Sequence, residues 1–493
     1  YMERRYNSMT KKKKIILCIA VFAAVVVGIF SYSIARLNRM YDLVNKRELS
    51  NMRDSIESHM EDVDSTDRIT HLLTDWCDVN NVKFTIDDNK NVIIRKTSSK
   101  ADKHTPTTVL AMEYNSKTFQ QDISAYAVAE YFAKHGLNHG DVNVVFFYND
   151  NNHHTGARNI SKKYIPKKSR IILLTQGESS YISRNSFGNS LQTVPIPYKK
   201  VSRQCDSALR IRIGGIPTGV PSQSTAAQPN PISLLGNILT HLKSKSVSFQ
   251  LADVKVESNG NMSPTGIQAT ILIDSYSMES VTTYLDDRIE DFEDDNKKDF
   301  PDSYYEYKEL TEQLPNTAYS KKAVNRLITF LYTFKNGAYR FDKDNVPEGY
   351  KEKDIFGINS IQNLSADSST LNLRINTMGM NDKYLKQVVK ENRNAAELSD
   401  VKINTTITDS PYENTKNELF QLIQDAYNKA NDVSTVDATI PEKPDCGFTI
   451  LTFLSAKNRN MDGIHLQITD KTAAKIANGI LNSPIMDRNI FGF

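Results

Sequence analysis

The chain has 493 residues, of which 39% are hydrophobic and 24% are charged, and these values are typical of a globular protein. Its 61 basic and 58 acidic residues are interspersed and leave a net charge of +3, so we expect no nucleic-acid partner. The four cysteines are far apart and form no C-x-x-C pair, which argues against a zinc ribbon or a disulfide framework. A chain of this length exceeds one ordinary core, so we expect two domains with accessory segments.

The N-terminal sequence predicts a membrane anchor. Residues 15–34 contain no charged side chain and are long enough to cross a bilayer as a helix. A basic tail, residues 1–14, precedes them, so we expect the N-terminus in the cytoplasm and the bulk of the chain on the other side. A cleaved signal peptide is the alternative interpretation.

Residues 35–65 predict a polar stalk helix after the anchor. Leu49, Met52, Ile56 and Val63 recur at near-heptad spacing, a pattern that can pair with another helix. The alternative is a solvated spacer with one weak apolar stripe, and we favour this second interpretation.

The stretch from Thr107 to Gly177 predicts the core of the fold. Three apolar runs, TTVLAMEYN, VNVVFFYND and RIILLTQGE, have the length of buried strands, and the segment QQDISAYAVAEYFAKHG has helical spacing. This alternation indicates a mostly parallel βαβ-type sheet, preceded by a helix (Asp67–Trp76) and a hairpin (Val82–Ile94). Functional residues in such sheets gather at the carboxyl ends of the strands. The polar residues near those ends are Glu113, Asn115, Asp122, Asp150, Asn151 and Gln176.

The order of these segments resembles the zinc-dependent dipeptidases of the carnosinase type, and most closely the bacterial aminoacyl-histidine dipeptidase branch. That branch reads roughly V-L-Q-G-H-x-D, A-D-N-G, D-E-E-T-G-M-T-G-A and N-x-D-S-E-E along the same stretch. Later segments follow the family in order: GGIPTG stands for its G-G-H-S-G, INSIQNLS for its T-S-S-N-L-G, and DCG for its L-E-C-G. The resemblance runs from Asp67 to the C-terminus.

The resemblance implies an α/β fold with two domains. A zinc-exopeptidase-like α/β/α catalytic domain would comprise residues 66–191 and 401–493, with an α+β lid domain inserted at residues 192–400. With the predicted transmembrane helix, it implies a single-pass protein of the bacterial inner membrane. Lids in this family often mediate dimers, so a homodimer is left open.

The resemblance also assigns roles to residues of the site. The family uses two zinc ions bridged by an aspartate, which corresponds to Asp122. The remaining metal ligands correspond to Glu113, Asn151, Gln176 and His465. The general base corresponds to Asp150, and the residue that orients the first ligand corresponds to Asn115. Matches elsewhere predict ligand contacts at Asn230, Asn261 and Cys446.

The amides at these positions lead us to expect a protein that has lost catalysis. Asn151 and Gln176 are neutral where the family has anionic ligands, so the charge that holds two dications together is reduced. We therefore predict a pseudoenzyme without a cofactor that binds a peptide, a small ligand or an envelope partner. One alternative is an active dipeptidase with a non-standard zinc site of Glu113, Asp122, Asp150 and His465, to which His153 and His154 could add. Another is a structural component of an envelope complex.

Overall fold

The structure is a computed structural model that describes residues 27–28, 46–60, 63–97, 106–135, 141–150, 154–258, 262–347, 350–430, 440–473 and 477. Most of the predicted membrane helix, the first part of the stalk (residues 35–45), Asn151, His153 and Asn261 lie outside these ranges. Within the described ranges, no helix is both long enough and apolar enough to cross a bilayer.

Residues 46–58 form the first helix, α1, and it packs against the body of the protein. Leu49 and Met52 are buried in the main apolar cluster, and Ile56 and Val63 pack against that cluster. The near-heptad stripe therefore faces the core of the same chain. Our prediction of a solvated spacer is wrong for this part of the stalk.

The main domain opens with helices and strands in the predicted order. They are α2 (Thr66–Val79), β1 (Phe84–Ile86), β2 (Val92–Lys96), β3 (Thr108–Tyr114), α3 (Ile123–His135), β4 (Val142–Tyr148), α4 (Thr155–Asn159), β5 (Arg170–Gln176), β6 (Tyr181–Ser183) and β7 (Asn185–Ser186). Helix α2 begins where the Ser65 hydroxyl accepts a hydrogen bond from the backbone N–H of Arg68, an N-cap that satisfies one free donor of the first turn.

The lid domain follows without a break in the chain. Its elements are β8 (Gly188–Pro197), β9 (Lys200–Ser202), β10 (Ser207–Gly214), α5 (Gln223–Ala227), α6 (Pro231–Ser244), β11 (Phe249–Glu257), β12 (Gly266–Ile273), α7 (Met278–Asn296), β13 (Tyr304–Leu310), β14 (Thr317–Tyr319), α8 (Lys321–Thr333), β15 (Gly337–Arg340), β16 (Ile355–Ala366), β17 (Thr370–Gly379), α9 (Asp382–Leu398) and β18 (Asn404–Asp409). The chain then returns to the main domain through β19 (Tyr412–Glu413), α10 (Glu418–Ala430), α11 (Leu451–Lys457) and β20 (Asp462–Ile468).

A seven-stranded mixed sheet forms the centre of the main domain, in the order β1-β2-β4-β3-β5-β20-β6. Strands β4, β3, β5 and β20 are parallel, whereas β1, β2 and β6 run antiparallel to their neighbours. Apolar clusters cover both faces, with helices α2 and α3 on one side and α4 and α11 on the other. The prediction of an α/β sheet between helices is confirmed, but the sheet is mixed and not mostly parallel, because only the three pairings among β4, β3, β5 and β20 are parallel.

The lid domain holds two large antiparallel sheets around one apolar cluster, and β9 and β14 form a further two-stranded antiparallel sheet. The strand orders of the two large sheets are β11-β12-β10-β13 and β15-β16-β17-β8-β18. Leu235 and Leu239 of α6 and Leu327 of α8 are buried with Ile211 of β10 and Leu373 of β17 in that cluster. The predicted α+β architecture of the insert agrees with this arrangement.

The chain crosses between the two domains along neighbouring strands. Only Phe187 separates β7 from β8, and only two residues separate β18 from β19. β7 pairs with β19, and β8 pairs with β18, both antiparallel. The lid strands begin at Gly188 and end at Asp409, so the boundaries that we predicted at residues 192 and 400 lie inside the lid.

Candidate functional site

The carboxyl ends of the central parallel strands bring Asp122 and Gln176 together. Strands β3 and β5 are adjacent and parallel, so the turn after β3, which leads into α3, lies beside the end of β5. Asp122 directly precedes α3, and its Oδ1 accepts a hydrogen bond of 2.8 Å from the backbone N–H of Gln176. Both residues thus lie at the carboxyl ends of the parallel strands, where the functional residues of such sheets gather.

Asp122 is a partly buried carboxyl that shares its surroundings with two other predicted site residues. Burial raises its pKa to about 6. The backbone N–H of Gln176 and the nearby His465 lower the pKa of Asp122, and the nearby Glu113 raises it. Glu113 and His465 therefore both lie near the carboxyl group of Asp122.

The side chain of Gln176, at the end of β5, joins helix α3 to the segment that follows β20. Its Oε1 accepts a hydrogen bond of 2.7 Å from the backbone N–H of Ser124, and its Nε2 donates one of 2.8 Å to Asp470 Oδ1. The Ser124 hydroxyl donates to the same Asp470 oxygen at 2.5 Å. Arg53 of α1 lies 3.4 Å from the other oxygen of Asp470. The amide of Gln176 is therefore held by protein partners at both of its ends.

Glu113 at the end of β3 is paired with a histidine from the next loop. Its Oε1 lies 2.6 Å from Nδ1 of His154, and both side chains are largely buried. The backbone of His154 is left-handed, with φ of 53°, and its N–H donates to Oδ1 of the buried Asn149. Asp150, the residue predicted as general base, is exposed next to this pair.

Asn115 closes the turn that follows β3. Its Oδ1 accepts hydrogen bonds from the backbone N–H groups of Lys117 and Thr118, at 2.9 and 3.0 Å. This is an Asx-type turn, in which a side-chain oxygen replaces a backbone acceptor. Asn115 therefore holds the loop that leads to Asp122.

His465 in β20 is held between two side chains. Its Nδ1 lies 2.8 and 2.9 Å from the two oxygens of Asp445, and its Nε2 lies 2.7 Å from the Thr175 hydroxyl. His465 and Asp445 are only 6% and 5% exposed, and the Tyr181 hydroxyl donates a further hydrogen bond of 3.0 Å to Asp445. Both ring nitrogens of His465 therefore have protein partners.

The predicted ligand contacts outside the main sheet are spread over the structure. Asn230 is the N-cap of α6: its Oδ1 accepts from the N–H groups of Ile232 and Ser233, and its Nδ2 donates to the carbonyl of Ile361. Cys446 packs against an apolar cluster of the lid, and burial raises the pKa of its thiol to about 11. Asn151 and Asn261 lie outside the described residues.

The described residues at these positions supply fewer ligands than a pair of zinc ions requires. A dinuclear centre needs about three protein ligands for each ion, supplied by His, Asp and Glu. The described positions offer two carboxylates, one histidine and one amide, from Glu113, Asp122, His465 and Gln176. In the described part of the chain, no group of three or more His, Cys, Asp or Glu side chains is arranged to hold a metal ion.

Comparisons with known proteins identify the fold. No protein-family model matches the chain, and no curated protein matches its sequence. The crystal structure of aminoacylhistidine dipeptidase from Vibrio alginolyticus aligns with a TM-score of 0.59 over 84% of this chain and 91% of that chain, at 14% identity.

The chain shares the fold of this dipeptidase. At this level of identity the likeness concerns the fold alone, and it confirms the fold that the resemblance in the sequence implied. Two other solved structures align with lower scores. A tripeptidase from Staphylococcus aureus aligns with a TM-score of 0.46 at 8% identity, covering 88% of this chain and 96% of that chain. An aminopeptidase from Bacillus cereus aligns with a TM-score of 0.42 at 9% identity, covering 88% and 97%.

Several residues of the site were not found from the sequence. Thr175, Ser124 and Asp470 hold His465 and Gln176, and Asp445 was noted only as a family match. The missing signal is strand β20: the run GIHLQIT is apolar enough for a buried strand and ends in polar Thr469 and Asp470. If this run had been recognised as a strand, Asp470 would also have been expected among the polar residues at the carboxyl ends of the strands.

Proposed function

We propose that this protein binds a peptide or another small ligand in its dipeptidase-like cleft without hydrolysing it. The observation that carries the proposal is the state of His465, whose two ring nitrogens are bonded to Asp445 and Thr175. A zinc ligand needs one free ring nitrogen directed at the metal. Without a metal or an equivalent electrophile, the bound water of a metallopeptidase is not activated.

The amide at the end of β5 supports the same proposal. Gln176 stands where the family has an anionic ligand, and its side chain bridges Ser124 and Asp470. These bonds hold the neutral amide of Gln176 in place at a position where the family has an anionic ligand. The function proposed for the cleft is therefore recognition, with Asp122, Glu113 and His154 as its polar groups.

Zinc content and peptidase activity of the purified full chain test this proposal together. We expect substoichiometric zinc and no cleavage of Xaa-His or other dipeptides, with or without added zinc. The active alternative predicts stoichiometric zinc and chelator-sensitive cleavage, both lost in Asp122→Ala. The exposed Asp88→Ala in the β1–β2 turn is the matched control. Chelator-sensitive cleavage by the wild type would refute the proposal.

A thermal-shift screen of dipeptides tests the binding half of the proposal. A ligand that binds only the folded state raises the melting temperature, and above Kd this stabilisation grows with the logarithm of the ligand concentration. We expect at least one dipeptide class to stabilise the wild type and to lose most of that effect in Glu113→Gln. If no dipeptide stabilises the protein and a stoichiometric partner copurifies from membranes, the protein is instead a structural component of an envelope complex.

We propose further that residues 15–34 anchor the chain in a bacterial inner membrane, with the two domains on the exported side. The uncharged length of this segment and the basic tail before it support the proposal. Resistance to alkaline carbonate extraction, lost on deletion of residues 1–45, is the expected result. Release of the intact wild-type chain by carbonate, or a shortened N-terminus in the mature protein, would argue for the cleaved-signal alternative.

A further inference from the structure

A groove lies between helices α1, α2 and α3 of the main domain. Its cavity volume is about 980 Å³, which is within the range of small-molecule sites. Met52 and Ile56 of α1 and Leu72 and Trp76 of α2 form its apolar walls, and Tyr126 and Glu130 of α3 also line it. The groove exists because α1 packs on the domain instead of extending away from it.

Glu130 is the one carboxyl of this groove that is fully buried among the described residues. Its side chain is 3% exposed, and its Oε2 has no hydrogen-bond partner in the described part of the chain. Burial alone raises the pKa of Glu130 well above the ordinary value, because no charge or hydrogen bond of the described residues offsets the desolvation. A buried carboxyl without a partner is unfavourable, so such a group in a cavity wall indicates a missing partner.

The surroundings of Glu130 select the chemistry of that partner. Trp76, Phe119 and Tyr126 line the same groove, and the faces of aromatic rings attract organic cations. At the rim, Lys134 is already neutralised by Glu48 at 2.8 Å. The remaining rim cations, Arg47 and Arg68, are exposed, so water and salt screen them from a ligand held in the groove.

We propose that this groove binds an organic cation with an apolar body, whose ammonium group pairs with Glu130 and whose body packs against Trp76 and the walls of α1 and α2. The ammonium supplies the hydrogen-bond donor and the charge that the carboxyl lacks. Glu113, Asp122, Gln176 and His465 do not line this groove, so it is distinct from the ligand site proposed for the dipeptidase-like cleft.

The test uses three probes that share one body and differ only in the head group: 2-phenylethylammonium, 2-phenylethanol and 3-phenylpropionate. Trp76 is the only tryptophan of the chain, so its fluorescence reports on this groove alone. We expect the ammonium probe to change the fluorescence with an affinity at least about tenfold higher than that of the alcohol. The carboxylate is expected to bind most weakly.

A comparison of Glu130→Gln with Asp78→Asn distinguishes the effect of the buried carboxyl on binding from the effect of removing any negative charge. Glu130→Gln keeps the shape of the side chain and should fold at least as well as the wild type, and it should reduce the preference for the ammonium over the alcohol to less than about twofold. Asp78 is an exposed carboxylate of α2 that does not line the groove, so Asp78→Asn should leave that preference unchanged.

Proton release provides a second readout. The other titratable groups that line the groove are Arg47, Glu48, His59, Arg68, Asp75, Tyr126 and Lys134. If the ammonium pairs with Glu130, it lowers the pKa that burial has raised, so calorimetry in buffers of different ionisation enthalpy should detect proton release on binding to the wild type and none on binding to Glu130→Gln. Equal affinity for ammonium and alcohol, tightest binding of the carboxylate, no binding of any probe, or a preference that survives in Glu130→Gln would each overturn the proposal.

Discussion

Glu130 and His465 are both ionisable and both buried, but their surroundings give them opposite roles. His465 has a partner for each ring nitrogen, so its burial is compensated by hydrogen bonds. Glu130 has an oxygen without any partner among the described residues. The first side chain therefore stabilises the main domain, and the second destabilises it unless something binds beside it.

Replacing Glu130 by glutamine should stabilise the protein at neutral pH. The pKa of Glu130 is about 4.5 in the unfolded chain and is raised well above that value on folding. Wild-type stability should therefore fall as the pH rises above about 4.5 and level off only above the folded-state pKa. Glu130→Gln lacks this loss, and we expect a gain on the order of 1 kcal/mol or more at pH 7.

Urea unfolding of the wild type and Glu130→Gln between pH 4 and 8 checks this prediction. The difference in the free energy of unfolding should be small near pH 4 and grow as the pH rises. Asp78→Asn, which removes an exposed carboxylate of α2, should show no such growth. A glutamine variant that is less stable than the wild type at pH 7 would mean that the carboxylate has a stabilising partner.

The strand-end positions of Glu113, Asp122 and Gln176 were predictable because strand length and order along the chain determine them. The partners of these side chains were not predictable. His154 reaches Glu113 through a left-handed turn, and Asp445 reaches His465 from a loop 20 residues earlier in the sequence. Such contacts depend on how distant segments approach each other, and neither periodicity nor spacing carries that information.

The sequence of helix α1 predicted its apolar stripe but not what packs against that stripe. The spacing of Leu49, Met52, Ile56 and Val63 predicted one apolar stripe, and that stripe exists. Periodicity specifies which side of a helix is apolar, but it does not say whether a second chain, solvent or the protein's own domain lies against it. The groove that α1 completes was for this reason absent from the predictions.

We expect Leu49→Ala to destabilise the protein by about 2 kcal/mol, because it removes a buried side chain from the main apolar cluster. The exposed Glu57→Ala on the same helix should change the free energy of unfolding by less than about 0.5 kcal/mol. Denaturant unfolding of a chain that begins at residue 46 measures both effects. Equal stability of all three proteins would show that α1 is detached in solution.

The ion pair between Arg158 of α4 and Asp409 of β18 links the main domain to the lid. Two parallel hydrogen bonds of 2.6 and 3.0 Å join the guanidinium to a carboxylate whose side chain is only 9% exposed, and the guanidinium lies 4.0 Å from the ring centre of Phe453. Lysine can reproduce neither the paired geometry nor the stacking.

Arg158→Lys should therefore destabilise the protein by about 1–3 kcal/mol and increase hydrogen exchange in β18. The Arg212–Glu306 pair of the lid offers a control, since both of its side chains are about half exposed, at 47% and 53%. Arg212→Lys is expected to have almost no effect, as is usual for surface pairs. Similar losses in the two variants would mean that Arg158 contributes only surface charge.

The two domains are joined where β7 and β8 run beside β18 and β19. Gly188 lies at this crossing, and a Cβ atom there would clash with Pro411 and with the carbonyl oxygen of Asp409. We expect Gly188→Ala to destabilise the protein by about 1–3 kcal/mol, because the backbone strands would have to separate. Gly447 has open space around its Cα, so Gly447→Ala should be close to neutral. Thermal unfolding compares the two, and equal melting temperatures would contradict the prediction.

The lid boundaries show what composition can and cannot locate. The Pro- and Gly-rich stretch after residue 192 marked the lid, but the strands that enter and leave it look like any other β-run. A strand that continues from one domain into the next carries no break in its pattern, so only the pairing of β8 with β18 reveals where the lid begins.

The same crossing limits how the two halves can move. Two hydrogen-bonded antiparallel strands form a strip that can bend across its flat face. Twisting or sliding would instead break the pairing of Ser186 with Tyr412 and of Asn189 with Asp409. We therefore expect the lid and the main domain to move relative to each other by bending across the flat face of this strip. A ligand between the two domains would then be enclosed by this bending movement, and not by a rotation or a slide of one domain past the other.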